Sequence, residues 1–372
     1  MSAIITLCLS AGIQKTISFD SLKTGAVNRS RSYIFDAAGK AVNSARVLTQ
    51  LMELEAADKA AAVQNDVTLI CPLGKKNADF FQQLAARDGL NPEAVLIPGY
   101  TRECCTLLDN ATGEVTELVV EEPAPEGDAP VSDLLFTLRS ALARASAFGG
   151  PADKAAGALP RTALLFAGSR PAFWPKDVIM QIALAAKKAG ALFMADFRGD
   201  DLLSLLDTPD FLECANANKA AHAKPRLVPD IIKINEAEFR GTFMRGNFAD
   251  SATGSENTYS AAETSAGKAA GYAECTDDTD SLAAAICEKS RELQNIIVVT
   301  RGADSTLAAD RGTVYECASE KVHAVNTIGC GDSFNAGFLY EYMTSGDVAR
   351  ALEKGTWCAA RNAERLSPGT IR

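Results

Sequence analysis

The densest chemistry in the chain lies in the run Asn326-Thr327-Ile328-Gly329-Cys330-Gly331-Asp332-Ser333-Phe334-Asn335-Ala336-Gly337-Phe338. Glycines flank a turn that leads straight into an apolar helical pattern. The first N–H groups of a helix have no partner inside it and lie at the positive end of its dipole, so such a turn binds anions. Glycine lets the backbone come close to a phosphate without a Cβ in the way. An Asp in that turn can accept a proton while neighbouring N–H groups hold the charge developing on a transferred phosphoryl group. The same residues also describe an ordinary helix start, with Asp332 capping and Gly331 merely turning.

The elements that must position this run follow from hydrophobic patterning. Short apolar runs at 4–9, 67–71, 163–167, 191–195, 231–234 and 296–300 read as buried strands. Helical patterns such as 42–55 and 176–188 lie between several of them, the latter closed by Gly190. This alternation predicts an α/β fold, a mostly parallel sheet with helices on both faces. Residues 15–35 and 102–118 alternate apolar and polar residues, with a turn signal at Asn110-Ala111-Thr112-Gly113. They predict antiparallel strands in a small separate sheet. Residues 121–130, rich in Pro and acid, read as a linker, and 247–279 as a surface insertion.

Composition narrows the class. With 372 residues, 47% of them hydrophobic, the chain can bury a large core. A net charge of −10 lacks the clustered basic face of a nucleic-acid binder. The apolar run at 4–9 is too short to span a membrane and no Lys or Arg precedes it, so a cytoplasmic protein with no membrane partner is expected. Ten Cys without regular spacing, Cys104 and Cys105 adjacent, read as reduced thiols. The two His, His222 and His323, lie in no metal-binding or triad context.

The run ending at Asp332 resembles the signature of the ribokinase-like (PfkB-type) carbohydrate kinases, approximately DTxGAGD followed by a small-residue helix. Asn326 stands for the leading Asp and Cys330 for the central Ala. The resemblance implies a ribokinase-like three-layer sandwich with a small β-sheet lid, and Asp332 as the base that deprotonates the acceptor hydroxyl. The backbone of Gly329, Cys330 and Gly331 would form the anion hole. Further motifs follow in the family's order. Lys233-Ile234-Asn235-Glu236-Ala237-Glu238 resembles Asn-x-x-Glu, which implies Glu238 on Mg²⁺ through water and Asn235 at ATP. Val298-Val299-Thr300-Arg301-Gly302 resembles the segment that meets the ATP phosphates, implying contacts from Thr300 and Gly302, and Asn362 is also implied at ATP. Asp36-Ala37-Ala38-Gly39-Lys40-Ala41-Val42-Asn43 looks like GGKGxNxA. It implies Gly39 and Lys40 on a substrate phosphate and Asn43 on a sugar hydroxyl.

Pro98-Gly99-Tyr100-Thr101-Arg102 is similar to the GxTR element of 1-phosphofructokinases and tagatose-6-phosphate kinases. A guanidinium can clamp a phosphate with two bonds, so Arg102 is the expected reader of the sugar phosphate. Gly168-Ser169-Arg170-Pro171 matches a turn that lines the sugar pocket in these relatives, implying Ser169. Ala195-Asp196-Phe197-Arg198-Gly199 resembles their DxxG element.

Two positions depart from the pattern. Gln14 stands where relatives carry an Asp that binds sugar hydroxyls; it can hydrogen-bond but lacks the charge. Ala38 and Ala41 stand where relatives have Gly, a strain if those positions need a positive φ.

The reading is therefore an ATP- and Mg²⁺-dependent kinase acting on a hydroxyl of a sugar phosphate such as fructose 1-phosphate, fructose 6-phosphate or tagatose 6-phosphate. The expected organisation is a kinase core of residues 1–14, 36–99 and 119–372 and a lid of 15–35 and 100–118, with a homodimer formed through the lid. A non-catalytic sugar-phosphate sensor and a kinase for an unphosphorylated sugar or nucleoside are the rivals. Lys40 and Arg102 argue against the latter, because two cations would have no partner on a neutral substrate. Cys330, at a helix start, is expected to be a reactive, thiolate-prone cysteine that MgATP protects.

Overall fold

A computed structural model describes residues 2–58, 66–122, 127–148, 159–206, 227–244, 271–274 and 281–372. The chain begins with β1 (Ala3–Leu7), β2 (Gly12–Phe19), β3 (Ser32–Ala38), α1 (Lys40–Asp58), β4 (Asp66–Gly74), α2 (Ala78–Arg87) and β5 (Glu93–Ile97). It continues through β6 (Arg102–Asp109), β7 (Val115–Leu118), α3 (Val131–Phe148), β8 (Thr162–Ala167), α4 (Val178–Lys188), β9 (Leu192–Asp196) and α5 (Gly199–Leu206). The last part comprises β10 (Ile231–Asn235), α6 (Glu236–Phe243), β11 (Gly271–Glu274), α7 (Ser281–Leu293) and β12 (Ile296–Thr300). It closes with β13 (Thr306–Asp310), β14 (Thr313–Cys317), α8 (Cys330–Ser345) and α9 (Val348–Ala363).

Ten strands form one sheet in the order β11-β14-β13-β12-β10-β9-β8-β1-β4-β5, and four form a second, β3-β2-β6-β7. In the large sheet β12-β10-β9-β8-β1-β4-β5 are parallel and β11, β14 and β13 antiparallel. All six expected strands are present in it. Strand β1 stops at Leu7, short of the expected 9, because Ser10-Ala11-Gly12 turns the chain into β2 of the small sheet. Alternation along β1 sends Ile5 and Leu7 to a core shared with α3, α4 and α7, and Ile4 to a core shared with α1, α8 and α9. Helices thus cover both faces. A third cluster, with Ala11, Ile13, Ala37, Val42, Leu69 and Phe81, joins the small sheet to the large one.

The small sheet pairs β2 with β3 and β6 with β7 antiparallel, but β2 with β6 in parallel. The hydrophobic pattern alone did not reveal that parallel seam. Among the described residues no helix is long and apolar enough to cross a membrane, and the eight described Cys are free. His222 and most of the 247–279 segment lie outside the described residues; 271–274 forms the edge strand β11.

Helix α8 is the element on which the site rests. Gly329, its N-cap, has φ +80°, a left-handed conformation that favours glycine. A Cβ at Gly337 would lie 2.6 Å from the Lys354 carbonyl and 3.0 Å from Gly355 Cα, so that glycine is what lets α8 and α9 pack in close contact.

Candidate active site

Asp332 lies in the first turn of α8, fixed from α1. The Asn43 amide donates to Asp332 Oδ2 at 2.8 Å, and the Ser44 hydroxyl donates to the Asp332 carbonyl at 3.0 Å. Asn43 is itself held by Arg46, whose guanidinium donates to Asn43 Oδ1, the Pro368 carbonyl and Asp88. Asp332 is only 7% exposed, yet its Oδ1 accepts no hydrogen bond among the described residues. Burial raises its pKa above the ordinary carboxylate value. Lys40, the Asn43 bond and Lys233 oppose that rise, and Asp196 adds to it. A carboxylate with one oxygen held, one oxygen open and a raised pKa suits general-base work.

Behind Asp332 stands a second carboxylate that the sequence reading did not assign to the site. Asp196 ends β9, fully buried. Its Oδ1 takes Lys40 Nζ at 3.1 Å, and its Oδ2 takes the Asn335 amide at 2.6 Å and faces Lys233 Nζ at 3.6 Å. Burial pushes its pKa up, but Lys233, Lys40 and Asn335 outweigh that and hold it at about 2. Lys40 is driven up in turn, chiefly by Asp196. Lys40 was expected on a substrate phosphate; in the structure it pairs with Asp196, which it shares with Lys233. Lys233 lies against the start of α8, since a Cβ on Gly331 would come within 3.0 Å of its Nζ.

The residues expected on the acceptor side lie around the joint between the sheets and the end of β8. Gly39 has φ +130°, and a Cβ there would meet the Ser10 carbonyl at 3.2 Å. Arg102, at the start of β6, lies over Gly12, with its Nε 3.3 Å from Glu122 Oε2. Gln14 is buried and donates to the Thr106 hydroxyl at 2.7 Å, so its amide is turned into the small sheet. Ser169 is exposed just beyond β8. The feared strain at Ala38 and Ala41 does not arise: neither has a positive φ, and Ala41 lies in helix α1.

On the other side, Asn235 and Thr300 are register partners at the carboxyl ends of β10 and β12, and Gly302 turns just after, at φ +64°. Glu238 closes a capping box with Asn235: the Glu238 N–H donates to Asn235 Oδ1 and the Asn235 N–H to Glu238 Oε2. Among the described residues its Oε1 has only the mostly exposed Arg198, at 3.6 Å. Glu238 can therefore hold a hydrated Mg²⁺ through water, as that ion prefers, and no described cluster of three acidic or His/Cys ligands competes for it.

Two expectations change. Asn362 is fully buried; its amide donates to the Ile328 carbonyl at 2.9 Å, and its oxygen accepts from Ser333 Oγ at 3.1 Å and the Gly369 N–H at 2.6 Å. It ties the chain's last residues to the turn before α8, and its side chain is spent on that task rather than on a nucleotide. Cys330 does not carry a thiolate-prone group. Burial pushes its thiol up to about 11, Asp332 adds to this, and the Asn362 bond opposes it only in part.

The residues missed had signals. Lys233 is a cation between isoleucines in the strand Ile231–Asn235, and Asp196 is an acid at the carboxyl end of a buried parallel strand, where ligands collect in open α/β sheets. Glu122 follows a strand in an acidic, Pro-rich stretch and carried none.

The chain is similar to known proteins along most of its length. The pattern of the pfkB family carbohydrate kinases matches residues 8–148 and 158–371. A 1-phosphofructokinase of Rhodobacter capsulatus is 26% identical over 353 residues, 95% of this chain and 88% of the relative. A 1-phosphofructokinase of Xanthomonas campestris pv. campestris is 29% identical over 54% of each chain. Among solved structures, phosphofructokinase-2 from Escherichia coli in complex with fructose-6-phosphate superposes with a TM-score of 0.68 at 16% identity, covering 99% of this chain and 96% of that one. The fold is the ribokinase-like α/β sandwich, and the chain belongs to the pfkB family of carbohydrate kinases, enzymes that transfer a phosphoryl group to a carbohydrate hydroxyl.

Proposed function

We propose that the protein transfers the γ-phosphoryl group of ATP to a hydroxyl of a sugar phosphate, with Asp332 as the base. One observation carries this reading: Asp332 sits at the start of α8 with Oδ2 fixed by Asn43 and Oδ1 open. Oδ1 takes the proton of the acceptor hydroxyl. The N–H groups at the helix start, with Lys233 beside Gly331, hold the charge that develops on the transferred group. Asp196 keeps Lys40 charged and holds Lys233 in place. Bound Mg²⁺, on Glu238 through water, would neutralise phosphate charge. The nucleotide side comprises Asn235, Thr300 and Gly302; the acceptor side comprises Gly39, Asn43, Arg102 and Ser169.

The small sheet acts as a lid, and its exposed apolar residues Tyr33, Val115 and Leu118 fit a homodimer formed through it. A coupled ADP-release assay over fructose 1-phosphate, fructose 6-phosphate and tagatose 6-phosphate tests the reading. Turnover with at least one supports it, and ATP hydrolysis indifferent to all of them contradicts it. A second reading, an unphosphorylated acceptor, gains support from the internal pairing of Lys40 with Asp196 and Arg102 with Glu122. Free fructose in the same panel separates the two.

A further inference from the structure

Glu122 brings a carboxylate into the corner where a phosphate reader is expected. Its side chain is 6% exposed. Oε2 accepts the Ser10 hydroxyl at 2.7 Å, which anchors it to the turn between β1 and β2, the same turn whose Ser10 carbonyl borders Gly39. The same oxygen faces Arg102 Nε at 3.3 Å. That pairing is electrostatic rather than a formed hydrogen bond, because Arg102 Nε is buried and no acceptor meets it in bonding geometry. Among the described residues the guanidinium makes one hydrogen bond, a long one from NH1 to the Val120 carbonyl at 3.4 Å. Arg102 is thus neutralised but poorly hydrogen-bonded, and its remaining donors are unspent. Burial raises the Glu122 carboxyl, while Ser10 and Arg102 favour its ionised form.

We propose that Glu122 is a specificity-determining residue of the acceptor pocket, the resting counter-ion of Arg102, from which an acceptor's phosphate must take the guanidinium. This rests on the sugar-phosphate reading above. A dianionic phosphate offers three oxygens to a planar fork of donors and outcompetes a single carboxylate oxygen that is also bound to Ser10. A neutral sugar offers no such exchange, so Arg102 stays with Glu122 and the pocket discriminates by charge. The residue sets how tightly phosphate is held, because every phosphate contact with Arg102 is made in competition with it.

The test is Glu122→Gln, which keeps the shape and the acceptor for Ser10 but removes the charge. Inorganic phosphate is the probe, titrated calorimetrically against wild type, Glu122→Gln, Arg102→Ala and the double variant, with KM for the sugar phosphate measured beside KM for ATP as internal reference. Loss of one charged competitor should tighten phosphate binding and lower the sugar-phosphate KM by about tenfold. Glu122→Ala should move both in the same direction, and in the Arg102→Ala background the gain should vanish. Phosphate binding that is unchanged or weaker in Glu122→Gln, in an enzyme that turns over sugar phosphates, overturns the counter-ion role alone. Turnover confined to unphosphorylated acceptors, with phosphate binding indifferent to Arg102, overturns the sugar-phosphate reading and this one with it.

Discussion

Replacing Asp196 with Asn should destabilise the protein by about 3–5 kcal/mol at neutral pH, because it leaves two lysines facing a neutral group. Lys233 is 6% exposed and has little access to water, whereas Lys40 is 41% exposed and its share is screened by solvent. Part of the cost can be worked from the titration. A carboxyl held at about 2 instead of 3.8 contributes about 2 kcal/mol of stability at neutral pH. The folded pKa is the depressed one, so this stability is fully present above the unfolded value and is lost as pH falls through about 2. Urea unfolding of wild type and Asp196→Asn at a series of pH values measures it directly. The gap between the two should be widest near neutrality and shrink by about 2 kcal/mol towards pH 2. A gap under about 1 kcal/mol at neutral pH, or one that stays constant as pH falls, would refute the argument that Asp196 is the charged hub of the site.

Arg102→Ala should raise KM for the sugar phosphate about tenfold or more and spare KM for ATP, measured in a coupled assay. Asn362→Ala should lower stability by about 3 kcal/mol in denaturant, since it strands the Gly369 N–H and the Ser333 hydroxyl. Cys330, with its thiol at about 11, should resist iodoacetamide at neutral pH on the timescale in which a free thiol in solution reacts. Peptide mapping reads this, and rapid labelling of Cys330 would contradict a thiol raised by desolvation.

Much of the fold could be read from periodicity, because buried parallel strands such as Ile296–Thr300 are continuous apolar runs bounded by turns. The hairpin of β13 and β14 was missed: Thr306–Asp310 is too short and alanine-rich to stand out beside its neighbours. At the site, motifs placed Asp332, Asn43 and Arg102 in one region but were silent on how charges pair across it. Lys40 and Asp196 are far apart in sequence, and Glu122 lies in the segment after β7 with no motif of its own, so only the fold shows that each of these cations faces a carboxylate. The thiol of Cys330 failed for a similar reason. The helix start argues for a low pKa, but enclosure by the C-terminal segment tied through Asn362 makes desolvation the larger effect.

The most direct test of the account is Asp332→Asn, which keeps the Asn43 contact in shape but removes the base. With the sugar phosphate that turns over best, kcat should fall by about two to four orders of magnitude while ATP binding changes little. The wild-type rate should itself decline as pH drops through a value above the ordinary carboxylate range, because burial raises Asp332 and only its ionised form accepts the proton. A variant that turns over within a few-fold of wild type would contradict the assignment of Asp332 as the base.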